Sequence, residues 1–252
     1  MNLTLDMAYV EAAMLAGVRI VAFLILAPPF SFSGIPLRIK GMLSVALSLL
    51  VAPRAATALT AELDTGTFLL ALVSQLIIGA LLGFLCAMVF AAVQSAGNIV
   101  DLFAGFSLSQ AFDPQMNVNG AQLTRLMQMT ALGLLFVSGG AELILNGLFR
   151  TFTALPVTGM FDVADGDRLL PGLGQLFVAA AQIAGPIVVV LFLADVGLGL
   201  LTRVAPALNA FQLGFPLKIL IPLLSGGVLF LALPRVVASL TDDALGLMGA
   251  LH

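Results

Sequence analysis

The sequence predicts an all-α integral membrane protein, and three observations lead to this fold class. Of the 252 residues, 61% are hydrophobic and only 9% are charged, whereas soluble domains carry about 25% charged residues. The mean hydropathy is +1.15, and it comes from long apolar stretches that the few charges separate. No stretch alternates between apolar and polar residues at period two, as membrane β-strands do. About six long apolar helices, several of them kinked, are therefore predicted, and a soluble enzyme is excluded.

The first two apolar segments are bounded by proline. Segment one covers 5–27 and stops at Pro28-Pro29, and the link 31–36 that follows is predicted to turn the chain into a hairpin. Segment two covers 37–52 and is predicted to end at Pro53, because proline lacks a backbone donor and interrupts a helix. This segment is shorter than the ~20 residues that a helix needs to cross the hydrocarbon layer.

The third segment is longer than a membrane is thick. From Thr65 to Val100 the chain carries no charged residue. One helix of this length would extend about 54 Å, whereas the hydrocarbon core measures about 30 Å. The helix must therefore bend, tilt or project beyond the bilayer, and Gly97 and Gly105 are candidate positions for a bend.

The last three apolar segments are also bounded by stretches that contain proline or polar residues. The fourth covers 121–155 and is closed by Pro156, and a Gly- and Asp-rich loop leads to the fifth, 173–203. The proline-bounded link 205–216 separates the fifth from the sixth, 217–240. Because Pro removes a donor and Gly permits a turn, continuous helix through this link is not expected.

The distribution of basic residues predicts the orientation of the chain. Arg38 and Lys40 lie between the first two segments, and Arg203 and Lys218 flank the link between the last two. Lys and Arg are enriched in short cytoplasmic loops. The pattern predicts a chain with its N-terminus outside the cytoplasm and an even number of spans.

The numbers of cysteine and histidine residues and the net charge exclude several kinds of site. The chain has one Cys, Cys86, and one His, His252, so it cannot form an internal disulfide or a Cys/His cluster for zinc, haem or iron–sulfur. The net charge of −3 and the lack of a basic run argue against nucleic-acid binding. No nucleophile–base pair is recognisable. No enzymatic activity, metal or cofactor is predicted.

Five charges stand out within the apolar stretches: Arg125, Glu142, Asp195, Arg203 and Lys218. A charge deep in a membrane costs roughly 2.5–3.5 kcal/mol on insertion scales, so each should find a partner or water. Asp195 and Arg203 are eight residues apart, about 12 Å along a helix, so Asp195 needs a partner on another helix, with Lys218 the nearest candidate. A buried clamp between helices is favoured over a proton or ion relay, which would need acidic or His groups in series.

The stretch 105–122 is long, nearly uncharged and rich in Asn, Gln, Ser, Phe and Met. One interpretation is an ordinary surface loop closed by the turn at Asp113-Pro114. The other is a re-entrant or pore-occluding loop, since irregular backbone at membrane depth is tolerated only inside protein or beside a cavity. The residues alone favour neither interpretation.

Small residues recur within the apolar segments, for example in GALLGF (79–84), where they let helix backbones approach closely. The chain has no Trp and one Tyr, so the aromatic belts usual at membrane interfaces are nearly missing. The missing belts favour helices that are shielded by neighbouring protein.

Three motifs resemble the FliR family of flagellar export-gate proteins, which is homologous to the T component of type III secretion systems. They are PLRIKGMLSVALSLLVAP (36–53), GFSLSQAFDP (105–114) and LADVGLGLLTRVAPALNAFQLGFPLKI (193–219). Their order and spacing match the family along nearly the whole chain.

The resemblance implies a single export-gate domain, with 1–190 similar to FliP and 191–252 similar to a FliQ-like C-terminal hairpin. It implies a structural and gating subunit, not an enzyme, that forms a channel for unfolded polypeptide in the bacterial inner membrane, within the flagellar basal body. The implied partners are FliP-like, FliQ-like and FlhB-like proteins. The competing hypothesis is a stand-alone secondary transporter of a small solute, with Asp195, Arg203 and Lys218 as its site. The internal repeats usual in such transporters are not found in the sequence.

The resemblance also implies that the 105–122 loop plugs the export channel. The residues to which this role is carried over, together with a neighbouring polar side chain, are Phe106, Leu108, Phe112, Asp113, Pro114, Met116 and Asn117. Relatives often have Phe where this chain has Leu108 and Ala111.

Overall fold

The computed structural model describes residues 7–32, 34–57, 59, 63–105, 122–158, 170–205 and 210–249. This part of the chain is all-helical, as predicted, and contains no strand. Its seven helices are α1 (Met7–Leu26), α2 (Leu37–Ala56), α3 (Thr65–Ala104), α4 (Gln122–Val137), α5 (Gly140–Ala154), α6 (Leu170–Val204) and α7 (Ala210–Gly249).

The chain divides into two compact units. The first consists of Met1–Phe90, Gly139–Leu173 and Ser239–His252 and so contains α1, α2, α5 and most of α3. The second consists of Ala91–Ser138 and Gly174–Ala238 and so contains α4, the end of α3 and most of α6 and α7.

Helix α2 packs against α1 through small polar side chains. Ser44 and Ser48 are buried at one-turn spacing, and the Ser44 hydroxyl donates to the Gly17 carbonyl of α1 over 2.8 Å. Large apolar side chains occupy the opposite face of α2, where Met42 is 73% and Leu50 is 69% exposed. This arrangement inverts that of a soluble helix, as expected where the outer face meets lipid or another apolar protein.

Two glycines of α3 let it contact the backbone of α1. A Cβ atom at Gly79 would lie 2.2 Å from the Arg19 carbonyl oxygen, and one at Gly83 would lie 2.9 Å from the Phe23 carbonyl oxygen. Both glycines and both carbonyls are four residues apart, so one face of each helix is in contact for a full turn. The close approach predicted for GALLGF therefore occurs.

The predicted end of the second segment at Pro53 is wrong, because α2 continues to Ala56. Pro53 cannot donate to the carbonyl of Leu49, one turn earlier. The hydroxyl of Tyr9 on α1 donates to this carbonyl over 3.2 Å, which compensates for the missing bond. At 20 residues, α2 is long enough to cross the hydrocarbon layer.

The fourth segment is two helices instead of one. Helix α4 ends at Val137 and α5 begins at Gly140, with Gly139 between them at φ 75°. This left-handed conformation suits glycine, which has no Cβ to clash. The additional break raises the predicted six segments to seven described helices.

The third and last segments also differ from their predicted bounds. Helix α3 runs without interruption through Gly97 and ends before Gly105, whose φ is 78°. Helix α6 ends at Val204 and Ala205 is not helical, so the chain does break at the start of the predicted link. Helix resumes at Ala210, however, so residues 210–216 belong to α7 and not to the link.

Four of the described helices are long and apolar enough to span a membrane: α1, α2, α3 and residues 177–204 of α6. If α4 and α5 together form one broken span, the count is five. The chain is thus a membrane protein by the length and composition of its helices.

Candidate functional site

A fully buried arginine joins three helices of the first unit. Arg19 of α1 has no exposed surface, and its Nε donates to Gln75 Oε1 of α3 over 2.6 Å. Its Nη2 donates to the Leu155 carbonyl over 2.8 Å, and its Nη1 to the Thr151 carbonyl over 3.2 Å. The guanidinium carbon lies 4.3 Å from the centroid of the Phe152 ring, within the range of a cation–π contact. We call these five residues the Arg19 cluster.

The cluster caps the C-terminal end of α5. Thr151 and Leu155 lie at that end, where the last carbonyls carry partial negative charge. The Thr151 carbonyl already accepts from the Leu155 N–H over 2.8 Å, whereas the Leu155 carbonyl lies beyond the donors of the helix. The planar guanidinium donates to both carbonyls and to a side-chain amide at once. Gln75 is fixed in turn, because its Nε2 donates to the Val157 carbonyl over 3.0 Å. The arrangement can orient helices, and it is built from donors and acceptors that suit a structural role.

A second polar contact joins α3 to α4 in the second unit. Asp101 is 2% exposed, and its Oδ2 accepts hydrogen bonds from the backbone N–H and the hydroxyl of Thr124. A carboxylate is favourable there because the first turn of a helix has free N–H groups. Gly97 permits the approach, since a Cβ atom at this position would lie 2.7 Å from Thr124 Cα.

This Asp101–Thr124 contact lies at the base of the predicted plug loop. Asp101 precedes the end of α3 and Thr124 follows the start of α4, so the two chain ends from which the loop departs are held together. The seven predicted plug residues themselves lie outside the described part of the chain: Phe106, Leu108, Phe112, Asp113, Pro114, Met116 and Asn117.

The structure brings together two of the three residues of the predicted charge network. Lys218 Nζ of α7 lies 2.8 Å from Asp195 Oδ1 of α6. In this chain by itself the side chains of Lys218 and Asp195 are 27% and 41% exposed, and the burial of the pair within the assembly stays a prediction. Arg203 lies exposed in the last turn of α6.

Arg19 and Asp101 were not among the residues that the sequence singled out. A signal for Arg19 was present, since it is the one basic residue in the first apolar segment. Its partners could not be read from the sequence, because Thr151 is 132 and Leu155 is 136 positions away. Among the described residues no group of three His, Cys, Asp or Glu side chains could hold a metal ion.

Together these features define an integral membrane protein built for close helix assembly: small residues and capped helix ends inside, and large apolar side chains outside. Residues 10–244 match the bacterial export proteins, family 1, and the chain belongs to this family.

Curated relatives include proteins of flagellar and of other export systems. The chain is 34% identical over 206 residues to the flagellar biosynthetic protein FliR of Escherichia coli (strain K12), which covers 80% of this chain and 77% of that protein. It is 34% identical over 176 residues to the Yop proteins translocation protein T of Yersinia pestis, covering 68% and 67%. It is 29% identical over 223 residues to FliR of Bacillus subtilis (strain 168), covering 87% and 85%. The predicted family and the predicted class of function, protein export, are confirmed.

Proposed function

We propose that this chain is a structural and gating subunit of the flagellar type III export gate. It forms, with FliP-like and FliQ-like subunits, an inner-membrane channel of the flagellar basal body through which unfolded polypeptide passes, and it contacts an FlhB-like protein. It performs no catalysis and needs no cofactor. The observation that supports this proposal most is the family match from residue 10 to 244, nearly the whole chain. The relatives compared above are export and translocation proteins, which disfavours the solute-transporter hypothesis.

The exposed apolar faces support assembly with other subunits. On α6 the side chains of Phe192, Leu193 and Leu200 are 57%, 61% and 59% exposed. Exposed apolar surface of this extent must be covered by lipid or by protein. With small residues such as Gly197 and Gly199 on the same helix, which have open space around them, α6 suits close packing with a further helix.

The C-terminal part, 191–252, is proposed to act as a FliQ-like hairpin joined to a FliP-like part, 1–190. The break at Ala205 between α6 and α7 supports a helical hairpin in this C-terminal part. The Lys218–Asp195 pair is proposed to clamp the two helices of the hairpin, and Gly214 lets them approach, since a Cβ atom there would lie 3.1 Å from Leu198 Cδ1. A partly exposed pair contributes little by itself, so its contribution depends on how far the assembly covers it.

The 105–122 loop is proposed to plug the channel at rest, with Phe106, Leu108, Phe112 and Met116 as the sealing side chains and Asp113, Pro114 and Asn117 shaping the turn. Support comes from the Asp101–Thr124 contact, because a plug that cargo displaces needs fixed ends. A seal of this kind is marginally stable, so that it opens while the surrounding helices stay folded.

Affinity purification of the tagged chain from native membranes tests the assembly. We expect FliP-like, FliQ-like and FlhB-like chains to co-purify in one complex of fixed composition, because the exposed faces of α2 and α6 need apolar partners. Asp195→Ala should lower the yield of this complex relative to Asp243→Ala, which removes an exposed carboxylate from α7. Recovery of the wild-type chain as a monodisperse monomer would contradict the proposal, and normal assembly of D195A with loss of proton-coupled transport would favour the relay interpretation.

A further inference from the structure

A cleft of about 840 Å³ opens between the C-terminal ends of α2 and α5. Its walls are mainly apolar and include Leu50 and Val51 of α2 and Phe149 and Phe152 of α5. These residues all belong to the first unit. Pockets of about 300–1,000 Å³ enclose most of a drug-sized ligand, so the cleft has room for the side chains of a few residues.

Contacts within the chain hold the walls of the cleft in place. The ring of Phe152 packs against the guanidinium of Arg19, whose central carbon lies 4.3 Å from the ring centroid. The hydroxyl of Thr57 donates to a backbone carbonyl of its own helix end over 2.7 Å, and the hydroxyl of Thr153 does the same on α5 over 2.6 Å. Because these side chains are already ordered, an occupant loses little affinity to the ordering of the walls.

Two arginines give the rim of the cleft a positive charge. Arg54 lines the cleft on the side of α2 and is exposed. Arg150 of α5 is exposed as well; it follows Phe149 directly and lies one turn before Thr153, and both of these residues line the cleft. Among the described residues no carboxylate pairs with either arginine. The cleft therefore fits an occupant that carries negative charge beside apolar groups.

The cleft continues the exposed apolar face of α2, which we expect other subunits to cover. Leu50 belongs to both, because it is exposed on this face and also lines the cleft. The face extends along α2 through the exposed side chains of Met42, Val45 and Leu49. At protein interfaces, side chains of one partner fill pockets of the other, and arginine and aromatic residues are enriched there. A segment of the subunit that covers α2 is thus the occupant that this surface fits.

We propose that the cleft receives a short segment of a neighbouring subunit in which an Asp or Glu lies next to an aromatic or branched aliphatic residue. The carboxylate pairs with Arg54, whose guanidinium can hold it through two parallel hydrogen bonds. The apolar side chain packs against Leu50, Val51 and Phe149. The inference rests on the proposed function, since it requires assembly with other subunits, and it adds the place and the chemistry of one contact.

Photo-crosslinking in the assembled complex tests the place of this contact. The photoreactive residue p-benzoylphenylalanine replaces Phe149 in the cleft or, as a control on the same helix, the exposed Leu143, which does not line it. Cells are irradiated, the complex is purified from native membranes, and crosslinked peptides are identified by mass spectrometry. We expect the probe at 149 to crosslink one partner subunit, with an Asp or Glu at or next to the attachment point. The probe at 143 should not crosslink this peptide.

Charge reversal tests the chemistry of the contact. With the probe at 149, Arg54→Glu should lower the crosslink yield per assembled complex at least about tenfold, equivalent to about 1.4 kcal/mol, because like charges brought together at an interface cost at least this much. Arg38→Glu, at the start of α2, is the matched control and should leave the yield unchanged. Replacing the identified acidic residue of the partner by Arg should restore the yield in the R54E background. Arg54→Gln, which should lower the yield in the same direction, takes the place of R54E if the reversed charge blocks assembly.

Three results would overturn the inference in a complex that still forms. They are the absence of any protein crosslink from position 149, a crosslink to a second copy of this chain or to a segment without an acidic residue, and a yield that does not depend on Arg54. Each of them leaves the proposed function intact, because the partners still co-purify. If the wild-type chain purifies without any partner, the proposed function and the inference fail together.

Discussion

Arg19 is a charged residue whose buried surroundings consist of neutral acceptors and an aromatic ring. Inserting an arginine at the centre of a membrane helix costs roughly 2.5–3.5 kcal/mol. The carbonyls of Thr151 and Leu155 and the Gln75 side chain offset this cost, since hydrogen bonds to a charged group contribute about 1.5–3 kcal/mol each. The charge is therefore tolerated because it is hydrogen-bonded at the end of α5, where the Leu155 carbonyl lies beyond the donors of the helix.

Replacing Arg19 by Met should destabilise the first unit. The substitution keeps most of the side-chain volume but removes the donor from a buried acceptor on Gln75 and from a part-buried one on Leu155, at roughly 1–3 kcal/mol for a buried group. We expect the full chain in detergent to unfold at a clearly lower denaturant concentration. Arg125→Met is the matched control, because Arg125 is exposed on α4. Equal unfolding midpoints for R19M and R125M would show that the Arg19 cluster contributes no net stability.

Gly79 controls how closely two helices pack. In Gly79→Ala the new methyl group would lie 2.2 Å from the Arg19 carbonyl oxygen, so α1 and α3 must separate, at a cost of about 1–3 kcal/mol. Gly133→Ala on α4 has nothing within 4 Å of its Cβ and should be neutral or stabilise the chain by up to about 1 kcal/mol, the helix propensity difference. In thermal unfolding, G79A should therefore unfold at a clearly lower temperature than G133A. A G79A chain as stable as G133A would refute the close helix contact.

The existence of the helices could be predicted from the sequence, because long uncharged stretches leave no alternative in a membrane. Their ends could be predicted less well, since they depend on distant partners. Helix α2 passes Pro53 because Tyr9, 40 positions from Leu49, supplies the missing donor. The break at Gly139 had a local signal, the Ser-Gly-Gly run followed by Glu142 in the first turn of α5, which is a typical helix end and start. The site residues Arg19 and Asp101 have partners far along the chain and could not be assigned from pattern alone.

At the scale of the whole molecule, the described helices bury polar contacts such as the Arg19 cluster and expose apolar faces. Helix α6 leaves large apolar side chains such as Phe192 and Leu193 exposed, whereas α3 buries a larger share of its apolar side chains, Leu82 and Leu85 among them. Exposed apolar surfaces of this kind can be covered by lipid or by many different proteins, so their residues do not indicate a particular partner. For this reason the resemblance to a family predicted the class of function better than the composition and spacing of the residues did.

The proposed plug can be tested by shortening it while the Asp101–Thr124 contact stays intact. Deleting Ser109–Met116 leaves eight of the residues 106–121 that follow Gly105 and precede Gln122. Eight residues reach about 26 Å, more than enough to connect helix ends that meet through Asp101 and Thr124. The complex should therefore assemble but leak, because the apolar side chains that exclude water are lost. Small-solute permeability of cells that carry the deletion measures the leak, with co-purification of the partners as the check on assembly.

The equal-length deletion of 160–167 is the control for this experiment. It shortens the Gly- and Asp-rich stretch that joins α5 to α6, a segment to which no sealing role is assigned, so cells should stay as tight as wild type. Both deletions remove eight residues between helices, and a general loss of packing would make both leak. Leakage that is specific to the 109–116 deletion thus separates a seal from a connector. If the complex forms and remains tight after that deletion, the loop only connects α3 to α4, and the gating role must be sought in other residues of the channel.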